Sequence, residues 1–415
     1  MTIANANVLF RGLKQPKSFN QQIHIQGGDP EDKLLRRARA KIRRRLRDEF
    51  SAMPALLKNP EIRSALFENR DSEFKEAAHS QAGLNIRFLT QGSFAYGTLI
   101  RPAQPNCQEI DLDDGVYFPM RFVNGRPLYS SEGLFLIVER ALGPLLEAEG
   151  WTLSLNRKAT CVRVILLGAN AHIDLPLFAV EETDFSEVLK RFENRTGQTF
   201  TEAKNINSIL AKNARDVRLL APSILLAHRE EDWVVSDPKT IEDWFNDSLE
   251  RYGPVLRRLC RYAKAWRDET WSNCELSSIA LMAVCVDELA KANQRPADDR
   301  DDLLLLEVAK ALPIRIRQGH IVWRNGEPPL DAKWTPEQRE AYAFAAEAFY
   351  DNLFRALNRN YDRDRVVAIL REALGNRFPN APEAVKVAAA AQTAAVLDTK
   401  ASKVAMPVVG NSVSA

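Results

Sequence analysis

The stretch Gln91–Met120, QGSFAYGTLIRPAQPNCQEIDLDDGVYFPM, constrains this chain more than any other. It opens on Gly92-Ser93, a small pair able to bring backbone N–H groups up to a phosphate. It closes on an apolar run, Glu109 to Met120, that carries Asp111 and Asp113 two residues apart. Strand side chains alternate faces, so both carboxylates project from one face while Leu112 points to the other. Two carboxylates that close repel each other, and a divalent cation between them relieves the repulsion. A third acid is expected from a neighbouring strand, and Asp174 in Ala171-His172-Ile173-Asp174-Leu175-Pro176-Leu177 is the candidate. Three carboxylates can hold two Mg²⁺ ions about 4 Å apart, with Mn²⁺ as an alternative ion. A lone D-x-D is commonly a solvated turn or a helix cap. Joined to Gly92-Ser93, Gly97-Thr98 and a later strand aspartate, it becomes specific for metal-dependent chemistry on a nucleoside triphosphate.

The bulk composition narrows the classes. At 415 residues the chain can bury a large core in two lobes or one bilobal unit, and 45% hydrophobic with 27% charged residues is an ordinary soluble composition. No run approaches the roughly 20 apolar residues of a membrane span, and the N-terminus lacks a charged start before an apolar core. Five cysteines, an odd number with no C-x-x-C pair, predict a reduced cytoplasmic protein without structural zinc. A net charge of +2 gives no strong overall attraction to nucleic acid.

Read in order, residues 1–30 are polar and form a loose lead-in. A catalytic lobe over 31–235 begins with a long helix carrying Leu34, Leu35, Ala38, Ile42, Leu46 and Phe50 at helical spacing. Its arginines either solvate a helix bridging the lobes or form an anion or regulatory-ligand surface near Arg43. Leu84 to Thr90 alternates as a strand that delivers Gln91 and Gly92-Ser93 to a helix start. Ser131 to Glu149 reads as a helix, followed by strands over 151–156 and 160–167. In the second, Arg163 lies between Val162 and Val164, which implies a cleft or a charged partner. The Asp174 strand closes the sheet region, with helices and loops over 181–231 covering the cleft.

A mainly helical C-terminal lobe over 236–378 starts at Ser236-Asp237-Pro238, a capping pattern with proline in the first turn. In one of its helices Val255, Leu256, Leu259, Tyr262, Ala263 and Trp266 form the buried stripe, with Lys264 off it. Residues 294–302 read as an acidic turn, 337–374 as two helices, and 379–415 as a flexible tail. Asp114 faces away from the carboxylate pair and reads as structural, whereas His172 shares the Asp174 face in a neutral orienting role.

The pattern Gly92-Ser93…Gly97-Thr98…Asp111-x-Asp113…Asp174 resembles the polymerase-β-like nucleotidyltransferase superfamily, and within it the bacterial cGAS/DncV-like nucleotidyltransferases. The likeness continues through SDPKTIEDWFND (Ser236 to Asp247), CRYAKAWRD (Cys260 to Asp268) and SSIALMA (Ser277 to Ala283), spanning about residues 35–290. The resemblance implies an α+β fold: a palm of mixed sheet with helices, plus the helical lobe. It implies Asp111, Asp113 and Asp174 as metal ligands, with Asp174 assisting the acceptor hydroxyl. Nucleotide contacts fall on Gln91, Gly92, Ser93, Tyr96, Arg163, Ser236, Lys264 and Ser278, Tyr96 by stacking on a base or as plain core. It further implies ATP and GTP joined into a 3′,3′-linked cyclic dinucleotide, cyclic GMP–AMP first among candidates, as a second messenger of antiphage defence acting on a downstream effector.

Some relatives are primed by an E1/E2-like enzyme acting on the C-terminal residue, here Ala415 in place of glycine. The His/Cys zinc insertion of the animal DNA sensor has no counterpart, so direct double-stranded DNA sensing is not expected. Two other readings stand beside this one. The first is a linear oligonucleotide synthase or RNA-tailing transferase of the same superfamily, opposed by the lack of an RNA-binding module. The second is a non-catalytic nucleotide-binding protein, opposed by three retained acids.

Overall fold

The carboxylate strand lies inside a seven-stranded sheet in the computed structural model, which describes residues 3–79, 83–186, 188, 224–236, 238–291 and 300–388. The chain enters through β1 (Ala4–Asn5), α1 (Asn7–Phe10) and α2 (Phe19–Ile23). In α3 (Pro30–Ser51), Leu35, Ala38, Ile42, Leu46 and Phe50 recur at helical spacing and are all buried. Short helices α4 (Met53–Leu56), α5 (Pro60–Leu66) and α6 (Ser72–His79) lead to β2 (Arg87–Gln91), which runs directly into α7 (Gly92–Tyr96). Then come β3 (Ile110–Met120), the hairpin β4 (Phe122–Val123) and β5 (Arg126–Pro127), and α8 (Ser131–Glu149). The Ser130 side chain accepts from the Gly133 N–H to start α8, and Gly150 ends it in the left-handed region. Strands β6 (Thr152–Leu153), β7 (Cys161–Leu166), β8 (Ala171–Glu181), β9 (Ile224–His228) and β10 (Asp232–Val235) complete the sheet.

β8 is the axis of this sheet. It pairs parallel to β3 along one edge, and its other edge is shared by antiparallel β7 and antiparallel β9. Leu112, Val116 and Phe118 of β3 and Ile173, Leu175 and Leu177 of β8 point to one face, where they pack with α3 and α8. The opposite face carries acids at one end. At the other end Tyr117 stacks on Phe178 with ring centroids 4.7 Å apart.

The second lobe is α9 (Pro238–Tyr252), α10 (Val255–Thr270), α11 (Ser278–Lys291), α12 (Asp301–Gln318), α13 (Pro336–Asn358) and α14 (Arg363–Leu374), closed by β11 (Lys386–Val387). Its core also takes in Tyr96 and Ile100 from the first lobe, so the two lobes share side chains at their junction. No helix among the described residues is long and apolar enough to cross a membrane.

Four expectations need correction. Residues 1–30 are not a loose lead-in: Leu9, Phe10, Phe19 and Ile23 are fully buried in the helical-lobe core. Phe10 sets its ring 5.3 Å from Tyr262 and 5.0 Å from Phe378, a few aromatics that a polar average conceals. The tail does not loosen at 379, because β11 pairs with β1 and joins the two ends of the described chain; the tail calls beyond 388, Ala415 included, lie outside the described residues. The sheet does not end at Asp174, since β9 and β10 extend it, while the expected helices over 189–223 lie outside the described residues. Of the acidic turn over 294–302, residues 294–299 lie outside the described residues, and Asp301 and Asp302 belong to a helix. They begin α12 fully buried, Asp301 holding Arg258 at 2.6 Å and Asp302 accepting from the Ala6 N–H.

Candidate active site

Strand register builds the site. Asp113 of β3 lies opposite Gln91 of β2 on one side and Asp174 of β8 on the other, and Asp174 lies opposite Arg163 of β7. These four positions form one row across four strands, all on the face away from the core. Two residues along, Asp111 lies opposite His172. The spacing of two places the second row on the same face.

The turn beside this row is fixed by its glycine. Gly92 has φ +61, and a Cβ there would sit 1.9 Å from Asp113 Oδ2. Only glycine allows α7 to begin that close to the carboxylates. Gly97 ends α7 at φ +67, with the Thr98 N–H donating to the Ser93 carbonyl at 2.9 Å.

Electrostatics divides the acids. Arg163 holds Asp174 with two charge-assisted hydrogen bonds, Nε to Oδ1 at 2.7 Å and Nη2 to Oδ2 at 2.6 Å. Arg163 therefore carries the charged partner that its apolar strand implied, the Asp174 carboxylate. Burial opposes the charge of Asp111, yet His172, Arg163 and Lys264 outweigh it and hold the carboxyl below its ordinary range. At Asp113 the charges of His172 and Arg163 do not prevail. Burial, then the charges of Asp111 and Asp174, raise it to about 7.

His172 bridges two acids. Its Nδ1 lies 2.7 Å from Glu109 Oε2 and its Nε2 3.0 Å from Asp111 Oδ1. Burial favours the neutral ring, but the neighbouring carboxylate charge prevails and raises its proton affinity. The Nε2 contact is not aligned as a hydrogen bond, which leaves two buried polar atoms, Asp111 Oδ1 and His172 Nε2, without a directed partner among the described residues. Asp111, His172 and Asp174 each place a ligand atom within 4.8 Å of the others, so the donor set fits a divalent cation. Glu109 was missed at the sequence level, although Glu109-Ile110-Asp111-Leu112-Asp113 repeats an acid every second residue.

The remaining candidates scatter. Gln91 donates from Nε2 to the Tyr117 hydroxyl at 2.7 Å, on the cleft face. Tyr96 is buried with its ring 5.5 Å from Phe245, so it is core and offers no stacking face. Lys264 does not lie off the buried stripe. It is 5% exposed, burial lowers it to about 8, and its Nζ donates to the Thr98 carbonyl at 3.0 Å. Ser278 accepts from Arg267 Nη1 at 3.1 Å where α11 begins, and the Ser236 N–H donates to the Ile224 carbonyl at the β9–β10 margin. Asp114 turns to the core face as expected, fully buried and accepting from Arg43 Nε at 2.7 Å. The arginine-rich helix is thus neither wholly solvated nor free: Arg39 donates to Thr90 Oγ1 at 2.6 Å, and Arg36 and Arg47 lie over the rings of Phe94 and Phe88.

Comparison with known proteins agrees with this geometry. Residues 86–178 match the family described as "Cyclic GMP-AMP synthase DncV-like, nucleotidyltransferase domain", and residues 253–387 match "Cyclic GMP-AMP synthase, C-terminal domain". A cyclic GMP-AMP synthase of Vibrio cholerae is 34% identical over 322 residues, 70% of this chain and 72% of that one. One from Escherichia coli is 33% identical over 345 residues, 80% of this chain and 76% of that one. Among solved structures, the 3′-deoxy ATP bound form of Vibrio cholerae DncV is similar with a TM-score of 0.71 and 28% identity, covering 94% of this chain and 100% of that one. The same protein in complex with the linear intermediate 5′ pppA(3′,5′)pG gives a TM-score of 0.70 and 27% identity, covering 94% and 100%.

Proposed function

This chain belongs to the DncV-like nucleotidyltransferases, and from that premise we propose that it joins ATP and GTP into a 3′,3′-linked cyclic dinucleotide, cyclic GMP–AMP, in two nucleotidyl transfers. The observation that carries the proposal is the row Gln91–Asp113–Asp174–Arg163, with Asp111 and His172 beside it and the Gly92 turn against Asp113. The pppA(3′,5′)pG intermediate bound by Vibrio cholerae DncV supports the same order of events here.

In each transfer a 3′-hydroxyl oxygen bonds to the α-phosphorus of a triphosphate, the bond to the β-phosphate bridging oxygen breaks, and pyrophosphate leaves. The hydroxyl proton passes to a carboxylate of the row. Gly92 and Ser93 hold the donor triphosphate, which orients it for in-line attack. Asp111, Asp113 and Asp174 would hold Mg²⁺, with Mn²⁺ as a substitute. Bound there, the ion lowers the proton affinity of the attacking hydroxyl and neutralises charge on the departing pyrophosphate. Arg163 takes one lone pair on each Asp174 oxygen, which leaves the second pair of each for a proton or a cation. His172, bridging Glu109 and Asp111, orients the Asp111 carboxylate.

The product is a second messenger of antiphage defence that activates a separate effector, and the C-terminal tail is the segment an E1/E2-like enzyme would address. The test is incubation of purified protein with labelled ATP, GTP, CTP and UTP plus Mg²⁺, followed by phosphatase, chromatography and mass spectrometry. A phosphatase-resistant dinucleotide that disappears in an Asp111→Ala/Asp113→Ala double variant is the expected result. A ladder of linear products would move the chain to oligonucleotide synthesis.

A further inference from the structure

The phosphate turn is held from behind by the other lobe. Arg257, Arg261 and Lys264 lie at i, i+4 and i+7 on α10, which places them on one helix face. They reach three consecutive carbonyls at the C-terminal end of α7. Arg257 Nε donates to Tyr96 O at 2.9 Å, Arg261 donates to Gly97 O from Nε at 3.0 Å and Nη2 at 2.6 Å, and Lys264 Nζ donates to Thr98 O at 3.0 Å. The fit also depends on glycine, since a Cβ on Gly97 would lie 3.2 Å from Arg257 Nε. Arg261 Nη1 adds a bond to Asn20 Oδ1 at 2.9 Å, tying in the N-terminal segment.

Stability alone does not account for this arrangement. Burial lowers Arg261 to about 10 and Lys264 to about 8, and the hydrogen bonds of the ladder go to neutral oxygens instead of carboxylates. A buried or half-buried guanidinium hydrogen-bonded only to neutral oxygens, as Arg261 and Arg257 are, is costly unless an anion approaches. The opposite end of the same five-residue turn is Gly92-Ser93, beside Asp113.

We propose that Arg257 and Arg261 are positioning residues: from the helical lobe they set the phosphate turn and make the site prefer triphosphates over monophosphates. This rests on the reading that Gly92 and Ser93 grip the donor triphosphate. Neither arginine touches the substrate. They act through Tyr96, Gly97 and the short helix between those carbonyls and Gly92, so their loss weakens the hold on the polyphosphate and leaves the acids in place.

The test uses the full chain with Arg257→Met, Arg261→Met and Arg261→Lys, reading Tm, kcat, KM and calorimetric Kd for a non-hydrolysable ATP analogue and for AMP. Removing one charge-assisted clamp is expected to raise KM and the analogue Kd about tenfold, with kcat changed less than about threefold and the AMP Kd unchanged. Arg261→Lys, which keeps the charge but loses the fork, should recover part of the loss. Folded variants whose ATP-analogue and AMP affinities stay in the wild-type ratio would overturn the proposal. Should Arg261→Met fail to fold, the half-buried Arg257 decides the matter. Wild-type protein that prefers the triphosphate yet forms no dinucleotide overturns the proposed activity alone, and the ladder is then judged on binding. A wild type with no preference for the triphosphate over AMP overturns the ladder.

Discussion

Asp113 is the residue at which folding and function pull apart. Its neighbours raise its proton affinity to about 7, so in the ligand-free protein its ionised form is unfavourable. The unfolded chain binds fewer protons at this residue between about pH 4 and 7, and stability from Asp113 is therefore lost as pH rises through that window. Asp113→Asn should raise the Tm of the ligand-free protein by a few degrees at pH 8, with the gain vanishing near pH 4. The same variant should lose dinucleotide synthesis and the stabilisation that Mg²⁺ with nucleotide gives the wild type. An unchanged Tm at pH 8 would show that the carboxylates are not in conflict.

Arg163 acts in the opposite sense. Its charge lowers the proton affinity of both Asp111 and Asp113, so Arg163→Met should move the rising limb of the pH–rate profile to higher pH and cut kcat/KM about tenfold or more. A profile that keeps its midpoint would detach Arg163 from the row. The three aspartates were legible in the sequence because alternation along a strand is local. The partner of Arg163 was not, because cross-strand register is set by pairing between segments distant in the chain. Lys264 was misplaced, and Tyr96 was left open between stacking and core, for a related reason: which face of an element is covered depends on the lobe packed against it.

At the scale of elements, the five-residue helix α7 turns a sheet into a site. Gly92→Ala would force a residue with a side chain into φ +61, at a cost of about 1 kcal/mol or more, and would drive a methyl group into the Asp113 carboxylate. The expected outcome is a protein with wild-type circular dichroism and a roughly hundredfold loss of turnover, since a shift of about 1 Å at the reacting groups suffices for that. Retained turnover would separate the turn from the chemistry. The Ser131–Glu149 helix was predicted to its boundaries because its serine cap and terminal glycine are local signals. β9 and β10 were not, since their strands are short and complete a sheet whose centre lies about fifty residues earlier.

For the whole molecule, the N-terminal segment is part of the helical lobe. Phe19 is fully buried, stacked 5.6 Å from Tyr262 and packed 5.3 Å from Phe378. Phe19→Ala should cost about 3–5 kcal/mol and lower the Tm measured by calorimetry. A Tm within a degree of wild type would restore the view of a loose lead-in. Average polarity concealed this segment, because four apolar side chains spread over fifteen residues build no periodic pattern yet fill one core.

The central claim is that the carboxylates of β3 and β8 hold the ions that act on a triphosphate seated at Gly92-Ser93. The most direct measurement is a crystal structure with Mn²⁺ and a non-hydrolysable ATP analogue, in which anomalous scattering locates the metal. The expected result is anomalous peaks bracketed by Asp111 and Asp113, with the triphosphate against the Gly92 turn. Metal and nucleotide bound together elsewhere on the molecule would contradict it.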